Sequence, residues 1–424
     1  MINSEISHLT VLPGPACNLS CSYCYLRDAE TEKTDTEAVL HGISAFIRYV
    51  KASGRNSAGS GNAKITFLGG EPLLHGRNLK KWIIAARSLS PEMPLRVFTN
   101  GTLLDNDWFV FFRHENVSIT VSLDGSKENN DRFRHFRKNT IDNNTAGSSC
   151  SVEPHKHDCR CSVQFSRYQD SESVYDSVLA AVPVAERGNI SVCAVVRPEN
   201  AYYLKENILH IASLGFASAG WAPDMSCLWP DSSIEALSAS AVQLKNYYIS
   251  EIKHGRVPFV IANMYETLSA VEGGIEPCGC GSITLDASGD FYPCDKLMAL
   301  PVEERLSYKL TGLMQKGNNE ISTVSGEDSC RTGSEYGGAV LNYGLEVCRQ
   351  KFFESLARRG GKFHCNACLA GTLARLDGLN MPAEEKQRIF KSQEKLSAVV
   401  RSSLCSMAEE GLKLPLFRMV HGYE

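Results

Sequence analysis

Short apolar runs alternate with longer amphipathic stretches over roughly the first 225 residues. The apolar runs are HLTVLPG (8–14), AKITFLGG (63–70), PLRVFTNG (94–101), VSITVSLDG (117–125), NISVCAVV (189–196) and FASAGWA (216–222). They are short and β-prone, and most end at Gly, Pro or Asn, so each reads as a strand running into a turn. Between them, 36–53, 78–89, 104–113, 171–187 and 201–214 read as helices. Such alternation implies right-handed βαβ units and a parallel sheet, an α/β fold. Six units suggest a partial barrel or a doubly wound sheet.

Two places break the rhythm. Residues 139–162, NTIDNNTAGSSCSVEPHKHDCRCS, are polar and poor in aliphatic side chains, and read as an inserted loop. From about 274 the alternation stops at GIEPCGCGSITLDASGDFYPCDKL, two short β runs around an Ala-Ser-Gly-Asp turn, flanked by cysteines. The expected division is therefore a core over 1–231, a helical bridge over 232–273, a cysteine-rich unit over 274–375 and a charged helical segment over 376–424.

Composition narrows the class. The chain has 424 residues, 43% of them apolar, enough for a sizeable core. With 44 basic against 48 acidic side chains it carries a formal charge of −4, which argues against a nucleic-acid partner held by a basic surface. No basic region followed by an apolar one opens the chain, and no apolar run approaches a membrane span. The expectation is a cytoplasmic protein without a membrane partner. Its sixteen cysteines are too sparse for a disulfide scaffold. Clustered thiols in a reducing compartment bind metal or do redox chemistry more often than they pair. Cys193, in the apolar run SVCAVV, reads instead as a buried small hydrophobe.

Cys17-x3-Cys21-x2-Cys24 supplies three thiolates from one loop after the first strand. A structural zinc ion wants four ligands, and His8 or His75 could add one. An iron–sulfur cube also normally takes four thiolates. Three protein ligands on a cube would leave one iron open to a substrate or cofactor.

The x3, x2 spacing, with Tyr23 and Tyr25 flanking the last cysteine, resembles the signature of the radical S-adenosylmethionine (SAM) family. Three further stretches at the ends of successive strands are similar to that family's motifs: Gly69-Gly70-Glu71-Pro72, Thr99-Asn100-Gly101, and Ser122-Leu123-Asp124-Gly125 followed by Asp131-Arg132-Phe133-Arg134. The resemblance covers about residues 8–225 and implies a partial (β/α)6 TIM-like barrel with its site at the strand C-termini. It implies a [4Fe–4S] cluster on Cys17, Cys21 and Cys24, and SAM on the open iron. It also implies that Gly69–Pro72 meets the amino group of SAM and that Ser122 and Arg134 hold its carboxylate and ribose. Tyr23, Asn100 and Asp124 join this cofactor-binding set, although Asn100 and Asp124 read equally well as turn residues. The implied reaction is reductive cleavage of SAM to methionine and a 5′-deoxyadenosyl radical, which removes hydrogen from an unactivated C–H bond.

The stretch CGCGSITLDASGDFYPCD is similar to the start of a SPASM domain, an extension with auxiliary clusters in radical SAM enzymes that modify peptides and proteins. The resemblance implies one or two auxiliary iron–sulfur clusters, with ligands among Cys278, Cys280, Cys294, Cys348, Cys365 and Cys368. The cysteines after Cys294 depart from the family pattern, since only Cys365 and Cys368 stand close together. Asp295 matches the position of a substrate base in similar sulfatase-maturating enzymes, or is an N-cap or turn aspartate. His155, His157, Cys159 and Cys161, in the inserted loop, are spaced too tightly for a zinc knuckle and read as surface.

The expected function is a radical SAM maturase acting on a ribosomally made peptide and leading to a cross-link. Formylglycine formation on a sulfatase is the alternative, with tetrapyrrole side-chain chemistry behind it. A non-catalytic iron–sulfur electron carrier is the alternative of another class. Expected partners are the peptide or protein substrate and an electron donor such as flavodoxin or ferredoxin. Sixteen residues before Cys17 are too few for a winged-helix leader-binding domain. Any leader recognition is expected from a separate leader-binding protein, the barrel or the C-terminal helices.

Overall fold

The computed structural model describes residues 6–30, 33–53, 63–137, 173–264, 267–268, 281–310, 376 and 381–422. The inserted loop lies outside them, as do Cys278, Cys280, Cys348, Cys365 and Cys368.

All six predicted strands form: β1 (His8–Val11), β2 (Lys64–Phe67), β3 (Leu95–Thr99), β4 (Val117–Ser122), β5 (Ile190–Val196) and β6 (Ser218–Pro223). They pair in parallel and in sequence order. The helices between them are α1 (Thr36–Ala52), α2 (Arg77–Leu89), α3 (Asn106–His114), α4 (Lys127–Asp131), α5 (Val174–Ala181), α6 (Val184–Arg187) and α7 (Leu204–Ser213). Caps explain several starts. Asp35 accepts hydrogen bonds from the Glu37 and Ala38 amides ahead of α1, and Asp105 does so from Trp108 ahead of α3.

The sheet is open. Its order is β7-β6-β5-β4-β3-β2-β1-β8-β9. Two edge features were not legible. The bridging region forms α8 (Asp231–Lys253) as expected, but then adds a two-residue strand, β7 (Val260–Ile261), beside β6. The cysteine-flanked hairpin forms as β8 (Ser282–Leu285) and β9 (Phe291–Tyr292), yet β8 also pairs in parallel with β1, matching His8 with Ser282 and Val11 with Leu285. The hairpin therefore extends the core sheet. Beyond it come α9 (Val302–Arg305), α10 (Ala383–Gly411) and α11 (Pro415–Val420).

Register separates two faces. Leu9, Ile65, Val97, Val121, Val192 and Ile283 pack with helix residues such as Val39, Phe46, Ile83, Phe112 and Val178 in one buried core. The alternate positions, pleated to the other side, include Thr10, Thr66, Arg96, Thr120, Ser191 and Thr284. That second face is rich in hydroxyls. His8 Nε2 lies 2.8 Å from Thr66 Oγ1, and Ser218 donates to Ser191 Oγ at 2.8 Å. Cys193 belongs to it, opposite Ser122, and is half-buried there rather than packed in the core.

Candidate functional site

The loop after β1 carries Cys17, Cys21 and Cys24 and is zipped to the loop after β2. Gly70 donates its amide to the Gly14 carbonyl at 3.0 Å, and Glu71 to the Ala16 carbonyl at 2.8 Å. A Cβ on Gly70 would lie 2.1 Å from the Ala16 oxygen, so only glycine fits. The sequence suggested that this glycine admits a ligand; the close neighbour is the backbone that leads into Cys17.

Glu71 is fully buried. Its Oε1 accepts from the Leu73 amide at 3.0 Å and Thr99 Oγ1 at 2.7 Å, and its Oε2 from the Asn100 amide at 2.7 Å. Burial pushes its carboxyl up to about 7 against the pull of those bonds. The carboxylate thus joins the second strand-end motif to the third. Pro72 then opens a 3₁₀ turn over Pro72–His75.

Asn100 sits between the third motif and the cysteines. Its Nδ2 donates to Asn18 Oδ1 at 2.8 Å and lies 3.8 Å from Cys17 Sγ. Its Oδ1 accepts from the Thr102 amide at 3.0 Å and Thr102 Oγ1 at 2.7 Å. Asn18 Nδ2 closes the ring by donating to Thr102 Oγ1 at 2.8 Å. Sequence reasoning missed Asn18 and Thr102, although each directly follows a residue or motif it singled out.

The fourth motif turns on Asp124, buried two residues after β4. Its Oδ2 accepts from Tyr23 Oη at 2.5 Å and Arg134 Nε at 2.9 Å; its Oδ1 accepts from Arg134 Nη2 at 2.9 Å and the Val195 amide at 2.8 Å. Arg134 grips a carboxylate with two bonds, but that carboxylate is Asp124, and among the described residues Nη1 makes no hydrogen bond. Ser122 ends β4, half-buried.

Asp295 follows β9 and stands against the cysteine loop from the other side. Tyr25 Oη donates to its Oδ2 at 2.9 Å, Lys296 Nζ lies 2.8 Å from the same oxygen, and Cys294 Sγ is 3.8 Å from Oδ1. Burial opposes its charge, but Lys296 and the hydrogen bonds from Lys296 and Tyr25 outweigh it and hold the carboxyl below the usual aspartate range. Cys294 packs with Leu12, Leu26 and Met298, beside Cys24 and Tyr25. His8 and His75 do not complete a metal site: no group of three or more Cys, His, Asp or Glu among the described residues could hold a single ion. His75 instead packs against Trp82, ring centroids 5.7 Å apart.

A thiol-bearing loop laced to the ends of β2, β3 and β4 is the arrangement the motifs implied. Residues 11–146 match the family model described as the Radical SAM superfamily. They form a radical SAM domain.

A serine-type anaerobic sulfatase-maturating enzyme of Klebsiella aerogenes is 34% identical over 133 residues, 30% of this chain and 32% of that protein. A cysteine-type counterpart from Clostridium novyi (strain NT) is 31% identical over 147 residues, 33% of this chain and 37% of that protein. The chain thus spans about a third of the length of the curated relatives it matches. Among solved structures, native anSMEcpe with bound AdoMet superposes with a TM-score of 0.56 at 15% identity, covering 95% of this chain and 99% of that one. A second structure of that protein, with AdoMet and the Cp18Cys peptide, gives 0.54 at the same identity and coverage. At that identity the likeness is one of fold.

A radical SAM domain implies a [4Fe–4S] cluster and SAM, and the donor set fits them. Burial pushes the Cys17 thiol up to about 12 and Cys21 up to about 11, so a positive centre is what would draw them into the thiolate form. Each thiol can meet its own iron at a corner of a cube, which asks for no convergence on one point. Donors already face the sulfur, with the Leu19 amide 3.4 Å from Cys17 Sγ.

Proposed function

We propose that this protein is a radical SAM maturase that modifies a residue of a ribosomally made peptide, leading to a cross-link or related modification. The observation that carries the proposal is the lacing of the Cys17–Cys24 loop to three strand-end motifs through Glu71, Asn100 and Asp124. An electron carrier needs no such motifs. When bound, the cluster and SAM would supply a carbon radical able to take hydrogen from an unactivated C–H bond.

In this reading Cys17, Cys21 and Cys24 each hold an iron. The Gly69–Pro72 turn and Ser122 face SAM, and Arg134 meets it through Nη1. Tyr23, Asn100 and Asp124 hold the loop in place. Cys294, with some of Cys278, Cys280, Cys348, Cys365 and Cys368, would hold an auxiliary cluster. Asp295 Oδ1 receives a proton from the substrate, since Oδ2 is engaged by Tyr25 and Lys296. Among the described residues no helix is long and apolar enough to cross a membrane. We assign the protein to the cytoplasm, with a flavodoxin or ferredoxin as electron donor.

Formylglycine formation is the second reading, favoured by the placement of Asp295 against Tyr25 and by the names of the relatives. Anaerobic reconstitution with iron and sulfide, then dithionite and SAM, tests both. Formation of 5′-deoxyadenosine, lost in Cys21→Ala, is the expected result. None from a fully reconstituted preparation under several reductants sinks the enzyme reading. Mass spectrometry of a sulfatase-derived Cys or Ser peptide then separates the two, since conversion to formylglycine selects the second.

A further inference from the structure

Arg197 is the first residue after β5, and its guanidinium meets three segments at once. Nη1 donates to Ser22 Oγ at 3.0 Å, inside the Cys21–Cys24 interval. The guanidinium carbon lies 5.1 Å from the centroid of the Phe133 ring, next to Arg134. Nε is 3.8 Å from Asp224 Oδ2, just after β6, and 3.3 Å from Glu199 Oε2.

The Asp224 end is anchored in turn. Asp224 Oδ1 accepts from the Ser226 amide at 2.8 Å, and its carbonyl accepts from Trp229 Nε1 at 2.8 Å. Helix α10 clasps the same loop, with Ser392 Oγ accepting from the Trp229 amide at 3.2 Å and Gln393 Nε2 donating to the Met225 and Cys227 carbonyls. Arg197 Nε and Asp224 Oδ2 are both buried, and neither makes a hydrogen bond among the described residues. Leaving a buried donor and acceptor short of a bond is costly, so what holds the guanidinium here is its charge between Asp224 and Glu199 and its bond to Ser22.

We propose that Arg197 is a positioning residue for the cysteine loop, carrying the order of the β6 loop and the C-terminal helix to Ser22 and, through Phe133, to Arg134. This rests on the radical SAM reading above. A guanidinium suits the task because its fixed fork reaches two partners in different directions while its face covers an aromatic ring. Among the described residues its side chain reaches Ser22, Glu199, Asp224 and the Phe133 ring, and no proposed ligand or SAM contact. Its effect should therefore appear in how the loop receives SAM, not in whether iron is bound.

The test compares reconstituted wild type with Arg197→Met, Arg197→Lys and Ser22→Ala. Iron content, the EPR spectrum of the reduced cluster with and without SAM, and SAM affinity by equilibrium dialysis are the readouts. Expected is an R197M chain that keeps its iron, binds SAM up to about 10-fold more weakly, the upper end for loss of one hydrogen bond, and shows an altered SAM-induced EPR change. R197K should recover part of the affinity. S22A should weaken binding in the same direction, with the R197M/S22A pair no worse than R197M alone. Should R197M fail to fold, S22A decides, because it removes the loop contact and leaves the buried arginine in place. Wild-type SAM affinity and EPR in both R197M and S22A overturn this role alone. A wild-type chain that assembles no cluster overturns the radical SAM reading, and this role with it.

Discussion

Tyr23 Oη donates to Asp124 Oδ2 at 2.5 Å, tying the residue before Cys24 to the end of β4 across 101 positions of sequence. The same carboxylate is the sole ion-pair partner of Arg134 among the described residues, and the pair is buried. Removing one partner of a buried pair typically costs about 3–5 kcal/mol, because the other charge stays behind. Asp124→Asn should therefore destabilise the chain by about that much in denaturant unfolding. Tyr23→Phe, which removes one bond to a charged group, should cost about 1.5–3 kcal/mol. A D124N chain as stable as wild type would show that Arg134 has another counter-charge.

Gly70→Ala tests the contact between the second motif and the cysteine loop. The added methyl would lie 2.1 Å from the Ala16 carbonyl oxygen and 2.4 Å from that of Pro15. Both are backbone atoms, so relief means moving the chain that leads into Cys17. The expected outcome is a folded protein by circular dichroism with a sharp loss of iron on reconstitution. Full iron uptake in G70A would mean that this loop is more yielding than its hydrogen bonds suggest.

Much of this was legible in the sequence because it depends on local pattern. The six core strands and the helices between them follow from runs of apolar residues and from caps such as Asp35 and Asp105. The four motifs announce themselves by spacing. The features that were not legible depend on contacts between distant segments. Nothing near Ser282 says that β8 pairs with β1, because a parallel partner can lie anywhere along the chain. β7, at two residues, is too short to carry a pattern. Asn18 and Thr102 adjoin motifs and Arg197 only follows a strand, but the importance of all three comes from the groups that lie across from them. The contacts of the Glu71 and Asp124 carboxylates with Asn100, Arg134 and the Val195 amide join segments that no local pattern links.

Acid should weaken the fold through His8. Burial, with Lys64 and Arg96 nearby, lowers its pKa from 6.5 to about 3. The folded chain thus keeps it neutral where the unfolded chain binds a proton. Stability from this group is complete above about pH 6.5 and is lost as pH falls toward about 3. Each pKa unit is worth about 1.4 kcal/mol, so the loss is on the order of 5 kcal/mol. His421, lowered by burial to about 4 and 3.1 Å from Tyr248 Oη, acts in the same direction. His8→Gln should flatten the pH dependence of unfolding between about pH 6 and pH 4. An unchanged slope would mean that His8 titrates normally.

Asp295 offers the cleanest separation of radical generation from substrate chemistry. Its carboxylate is reached by Tyr25, next to Cys24, and by Lys296, whose Nζ also lies 3.9 Å from the Tyr25 ring centroid. Among the described residues no hydrogen bond joins these groups to Glu71, Asn100 or Asp124, which lace the loop to the ends of β2, β3 and β4. Asp295→Asn keeps the size of the side chain and an acceptor oxygen for Tyr25, but removes the ability to take up a proton. If Asp295 serves the substrate and not the cofactor, D295N should still cleave SAM and form 5′-deoxyadenosine. Modified peptide should fall by about 10²-fold or more, the usual share of a general base. Paired assays of the nucleoside by chromatography and of the peptide by mass spectrometry would show the split. Equal loss of both would move Asp295 from the substrate to the cofactor side of the site. No loss of either would leave Asp295 with a structural role alone, through Tyr25 and Lys296, at the first position of the turn that Cys294 caps.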